Sequence, residues 1–102
     1  MSDSQRNEEE LRLHFTEEKA PVPWKELERF FAQGLVIEID AALDLVEVAV
    51  HVALDRAEKV KEWMESGLVR RMNDELAIRL SEANLSVTGV VSRPWIFVQL
   101  ND

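Results

Sequence analysis

Gly34-Leu35-Val36-Ile37-Glu38-Ile39-Asp40-Ala41-Ala42-Leu43-Asp44-Leu45-Val46-Glu47-Val48-Ala49-Val50-His51-Val52-Ala53-Leu54 changes period midway, and that change decides the fold. Leu35 to Ile39 is short and β-branched, and it is bounded by Gly34 and Asp40. It predicts a mostly buried strand. From Ala41 to Leu54 the polar residues Asp44, Glu47 and His51 fall on one narrow helical stripe, and the rest are Ala, Val or Leu. A helix apolar over most of its circumference lies at the centre of a fold, covered on several sides. Asp40 is its expected N-cap. A buried strand beside a core helix makes the fold α+β. The expected architecture is one domain of four to five helices packed on a small antiparallel or mixed sheet.

Working back from Gly34, Trp24, Leu27, Phe30 and Phe31 form one apolar helix face. A helix is expected from about Pro23 to Gln33, with proline at its first turn and Gly34 as its left-handed stop. Ala20-Pro21-Val22-Pro23 is a break. From Glu8 to Lys19 the residues are good helix formers, and Leu11 and Phe15 are four apart. Leu11, Leu13 and Phe15 also alternate, so a strand competes; the helix is the expectation. Residues 1–8 carry no apolar residue after Met1 and are expected to be a disordered acidic tail, with residues 9–102 forming the domain.

Working forward, Asp55-Arg56-Ala57-Glu58 matches a capping box. The helix it opens runs to Ser66 and is expected to bury Ala57, Val60, Trp63 and Met64, with Gly67 as its stop. Leu68 to Arg71 is expected to form a short strand. Asn73 or Asp74 then caps a helix to about Ala83, and Asn84 can take the left-handed stop. Leu85 to Leu100 is β-rich, and Trp95-Ile96-Phe97-Val98-Gln99-Leu100 is the strongest strand signal in the chain. Pro94 marks a bulge, an edge, or the turn of a hairpin with Val87 to Val91. Phe30 to Val36 resembles Trp63 to Val69 at an offset of 33 residues. Ordinary helix-stop chemistry accounts for that better than a repeat.

The chain has 102 residues, enough for one domain and too few for two. Its formal charge is −8. A nucleic-acid binder carries a basic stripe, and an anionic membrane attracts basic segments, so neither partner is expected. With no cysteine, disulfides, Cys-ligated zinc and thiol catalysis are excluded. With two histidines, an all-histidine metal cage is excluded too. The first ten residues are polar and acidic, unlike a secretory signal. The most apolar stretch, Leu43 to Leu54, is far shorter than the ~20 residues of a membrane span. The cytoplasm is the expected compartment.

Asp40, Asp44, Glu47 and His51 are the clustered polar set. Glu47 and His51 are four apart, a spacing that can bring a carboxylate and an imidazole to one metal or ligand. The competing reading makes Asp40 a cap, sets Asp44 at the positive end of the helix dipole, and leaves Glu47 and His51 as an exposed edge. No metal is expected, because one helix supplies at most three donors without a supporting shell. His14 reads as solvated. Trp24, Trp63 and Trp95 read as core rather than as a stacking platform. Trp24, Phe31, Val46, Val50, Trp63 and Phe97 are expected to share one core. Arg70, Arg71, Arg79 and Arg93 read as surface residues paired with neighbours such as Asp74, Glu75 and Glu82. There is no nucleophile with its base, no P-loop and no dinucleotide fingerprint.

Pro23-Trp24-Lys25-Glu26-Leu27-Glu28-Arg29-Phe30-Phe31-Ala32-Gln33-Gly34, Leu43-Asp44-Leu45-Val46-Glu47-Val48-Ala49 and Arg93-Pro94-Trp95-Ile96-Phe97-Val98-Gln99 together resemble a bacterial family, the domain of unknown function 2288. Trp63, Gly67 and Leu68 fall on its Trp-x-x-x-Gly-Leu pattern. The resemblance spans roughly residues 11–100. Arg71-Met72 stands where the family usually has Lys-Pro, and Arg93 stands where it has Gln. The resemblance implies no activity, so no catalytic residue is assigned.

The expected function is a non-catalytic protein-interaction or oligomerising module without a cofactor. A second copy is the expected partner, because the Trp95–Leu100 strand is apolar on both faces and something must cover both. The alternative is a small-ligand or metal-binding protein using the Asp44, Glu47 and His51 face.

Overall fold

The computed structural model describes residues 2–100, with side chains described from Asn7 onward. In chain order the elements are α1 (Ser2–Glu18), β1 (Ala20–Pro23), α2 (Trp24–Ala32), β2 (Val36–Ile39), α3 (Leu45–Ala53), α4 (Ala57–Glu65), β3 (Val69–Arg71), α5 (Asp74–Glu82), β4 (Ser86–Ser92) and β5 (Trp95–Leu100). These are five helices and a five-stranded mixed sheet of order β1-β4-β5-β2-β3, an α+β fold.

Within α1, Phe15 is buried and Leu11 packs beside it, while Leu13 is 62% exposed. A strand would have put all three on one side, so burial selects the helix. Helical backbone also reaches back to Ser2, through the segment expected to be a tail; Met1 lies outside the described residues. At the end of that segment Glu8 holds two cations, Arg12 and Arg56. A search for apolar anchors does not see these polar ones.

Four helices stop in the same way. Gly34, Asp55, Gly67 and Asn84 all have positive φ, between 53° and 78°. In each case that residue and the next donate back to the last turn, as Gly34 N–H does to Phe31 O at 2.9 Å and Leu35 N–H to Phe30 O at 3.0 Å. This is the two-bond Schellman stop. It recurs on α3 and α5, which lack the glycine, so the 33-residue resemblance is capping chemistry. Asp55 is therefore the stop of α3 and not the capping box of α4. The N-cap of α4 is Arg56, with no side-chain cap bond. Asn73 caps α5 as expected, its side chain accepting from Leu76 N–H at 2.7 Å.

The strand at the head of the deciding stretch forms as β2, but its helix starts late. Asp44, not Asp40, is the N-cap of α3. Asp40 instead accepts from Ala42 N–H at 3.0 Å in a local turn. Gln99 of β5 locks that turn, its Nε2 donating to Asp40 O at 3.1 Å and Leu43 O at 2.7 Å. Asp40 O also accepts from Leu43 N–H at 3.0 Å, closing a turn of its own, and α3 begins beyond that turn.

β4 and β5 form the expected hairpin, with the Arg93–Pro94 turn between them and Val90 opposite Phe97. β5 is central: β4 pairs with it antiparallel and β2 parallel. Its alternation feeds two cores. Phe97 joins Phe15, Val46, Val50 and Trp63 under α1, α3 and α4. Ile96 and Val98 join Trp24, Leu27, Ala77 and Leu80 under α2 and α5. The single core expected from sequence is thus two, one on each face, and Trp24 and Phe31 belong to the second. Met64, expected to be buried, is 59% exposed. Both faces of β5 are covered by this chain's own helices, which removes the reason given for a second copy there. The edges are blunted: β1 carries Pro21 and Pro23, and β3 has three residues. Among the described residues no helix is long and apolar enough to cross a membrane.

Candidate functional site

The three residues of the expected α3 stripe have separate tasks. Asp44 Oδ1 accepts from Glu47 N–H at 3.1 Å and caps the helix. Glu47 reaches across to α1, where both of its oxygens accept from Arg12, Oε2 from Nε and Oε1 from Nη2 at 3.0 Å. Arg12 Nη2 also donates to Glu8 Oε2 at 2.8 Å, and Arg56 Nη2 donates to Glu8 Oε1 at 2.5 Å. Arg56 Nη1 lies 3.4 Å from His51 Nε2.

His51 closes this chain of contacts. Its Nδ1 lies 2.8 Å from Glu47 O. A carbonyl oxygen only accepts, so Nδ1 carries the proton, and in the neutral ring Nε2 is left to accept from Arg56. The imidazole also packs against Trp63, with centroids 5.2 Å apart. The whole array runs Glu47, Arg12, Glu8, Arg56, His51 and ties α1 to α3 and to the start of α4.

The charges respond accordingly. Hydrogen bonds from Arg56 and then Arg12 hold the Glu8 carboxyl down at about 2. The bond from Arg12 lowers Glu47 below the usual carboxylate range. Arg12 is held still more firmly protonated, by Glu47 first and Glu8 second. Glu8, Glu47, Arg12 and Arg56 are thus paired with one another within the chain. Among the described residues no three His or acidic side chains are grouped to hold a metal ion.

The other sequence candidates are dispersed. Trp24 lies on one sheet face, and Trp63 and Trp95 lie on the other. Exposed His14 faces Glu18 at 3.7 Å. Arg70 pairs with Glu38 across β2 and β3, not with an acid of α5: Nε donates to Oε1 at 3.2 Å and Nη2 to Oε2 at 3.0 Å. Glu38 is only 5% exposed, and its guanidinium partner satisfies both oxygens. That contact raises the Arg70 pKa. Arg93 stands apart, at the hairpin turn.

A concavity lies elsewhere, between α2 and the β4–β5 hairpin. It is an open groove of about 1100 Å³. Val22, Leu27, Phe30, Leu35, Val91 and Ile96 give it an apolar lining. Val91, at its mouth, is 48% exposed. Gly89 forms part of its floor, in the interior of β4, opposite Ala20 and Val98. A Cβ there would meet Val22 Cγ2 at 3.4 Å, ordinary contact, so the backbone does not require glycine. A glycine inside a strand weakens it and often marks a close approach; what approaches Gly89 is the Val22 side chain of β1. The rim carries Glu18, Glu26 and Glu28 against Lys25, Arg29 and Arg93. Arg29 stacks on Phe30 at 4.8 Å. Sequence reading missed this groove; Gly89 inside a β-branched run was the one local sign of it.

The family model described as "Protein of unknown function (DUF2288)" matches residues 10–100. Among solved structures, "NMR solution structure of PA1075 from Pseudomonas Aeruginosa" is similar, with 38% sequence identity and a TM-score of 0.77. The match covers 86% of this chain and 82% of that chain. No curated protein matches.

Proposed function

The chain belongs to the DUF2288 family, whose name carries no activity, and we propose that it works by binding rather than by bond chemistry, as a protein-interaction module. The groove between α2 and the β4–β5 hairpin is its contact surface. The single observation behind this reading is an apolar trough, floored in part by Gly89, with Val91 left 48% exposed at its mouth. A concave apolar surface ringed by charge is the usual form of a recognition site. The engaged side chains of α3 support the same reading: Asp44 and Glu47 accept, and His51 donates, within the scaffold. The charge of −8 supports a protein partner over nucleic acid or an anionic membrane, and a cytoplasmic setting goes with it.

The test uses the apolar dye 1-anilinonaphthalene-8-sulfonate as probe, followed by amide chemical shifts of the full chain. The expected perturbations fall on Phe30, Leu35, Val91 and Ile96. Val91→Glu abolishes them and His51→Ala leaves them in place. Perturbations centred on His51 and Trp63, or none at all, would overturn the reading.

A further inference from the structure

We infer that the occupant of this groove is a second copy of the chain, docked about a two-fold axis with α2 antiparallel to α2 of its partner. The inference rests on the groove being a contact surface, and it adds the partner.

Charge is the first support. The molecule as a whole is strongly acidic, with a formal charge of −8. Two such molecules repel each other over most of their surfaces. The rim of the groove is an exception: its three carboxylates are matched by three cations. It offers a like-charged copy an approach without net repulsion.

The pattern of those charges is the second support. Along α2 they run Lys25, Glu26, Glu28, Arg29. A two-fold interface is self-complementary: residue i meets partner residue j, and j meets partner residue i. Antiparallel helices in such a pair can set Glu26 against Arg29 of the partner subunit and Arg29 against Glu26 of the partner subunit. One pairing thereby occurs twice.

The third support is that these charges lack ion-pair partners, although Glu28 accepts from Ser81 Oγ and Arg29 stacks on Phe30. Among the described residues Lys25, Glu26, Arg29 and Arg93 make no ion pair within the chain. The charges that dock α1, by contrast, are all used at home. With the rims paired, the exposed Val91 and the half-buried Phe30 of the two copies close over the groove. This contact differs from the one expected on β5, whose faces are filled.

Charge reversal tests the pairing, read by sedimentation equilibrium of the full chain at low ionic strength. The wild type is expected to dimerise reversibly. Glu26→Arg alone, or Arg29→Glu alone, places like charges together twice per dimer and weakens it by about tenfold. Glu26→Arg combined with Arg29→Glu keeps net charge and composition and restores the dimer to within about threefold of wild type. Both positions are exposed, and circular dichroism checks that each variant is folded. A wild type monomeric at millimolar concentration overturns the inference. So does a dimer indifferent to the single reversals, or one that the double reversal fails to rescue. Dye binding in the groove that persists in those cases would leave the groove as a contact surface and reject only the second copy.

Discussion

Arg12 lays its guanidinium across both carboxylate oxygens of Glu47, joining α1 to α3 across 35 residues of chain. One turn earlier, Glu8 continues the contact to Arg56. Because α1 buries Phe15 but little else, these charges hold its first half.

Acid is expected to loosen that half first. The Glu8 carboxyl sits at about 2 against an ordinary 4.5. A carboxyl lowered in the fold stabilises it above its ordinary value and loses that contribution as pH falls through its folded value. The window therefore runs from about 4.5 down to about 2. Amide protection factors over α1 should fall within it, ahead of those in β5. In Glu8→Gln they should already be low at neutral pH. Equal protection in variant and wild type would show that Glu8 does not anchor the helix.

The two cores should behave independently. Ile39 is 2% exposed in one and Ile96 is 6% exposed in the other, on opposite faces of the sheet. Ile39→Val and Ile96→Val should each cost about 0.5–1.5 kcal/mol in urea unfolding. Together they should add to within about 0.5 kcal/mol. A coupling above about 1 kcal/mol would mean one shared core.

Gln99 should brace the turn that precedes α3. Gln99→Ala removes the side-chain bonds to the carbonyls of Asp40 and Leu43 and is expected to cost about 1–3 kcal/mol, two modest hydrogen bonds at a partly buried turn. Amide exchange at Ala42 and Leu43 should speed up while β5 stays protected. Gln99→Glu should do the same, since a carboxylate cannot donate. Unchanged exchange in that turn would contradict the clamp.

Arg70 should matter beyond an ordinary surface charge. Glu38 is buried, so Arg70→Ala strands a carboxylate. Its guanidinium is itself 38% exposed, which discounts the loss to about 2–3 kcal/mol. Glu38→Gln with Arg70 intact should cost less. A loss within about 0.5 kcal/mol for Arg70→Ala, the range of surface substitutions, would make the pair ornamental.

What the sequence disclosed followed chain distance. Gly34, Gly67, Asn73 and Asn84 act through bonds to their own helix, and their roles were legible. Asp40 and Asp44 are both competent caps four residues apart; Asp40 closes a local turn instead, and that turn is bridged by Gln99, 59 residues from Asp40. Asp55 fitted a capping box and serves as a stop, because His51 O and Val52 O accept the bonds that end α3. Periodicity marked Trp24 and Trp63 as buried but could not say on which side of the sheet each lay. Glu47 and His51 were correctly grouped on one face, yet their partners come from α1 and the start of α4. The groove is a gap between α2 and a hairpin some sixty residues further on, and only the assembled sheet creates it.

The most direct test of groove binding is a concentration series of amide chemical shifts on the full chain, from micromolar to millimolar. Residues Lys25, Glu26, Arg29, Phe30, Val91 and Arg93 should shift together along one binding curve, while Glu47 and His51 stay still. Shifts confined to Glu47, His51 and Trp63, or a spectrum unchanged across the series, would contradict self-docking through the groove.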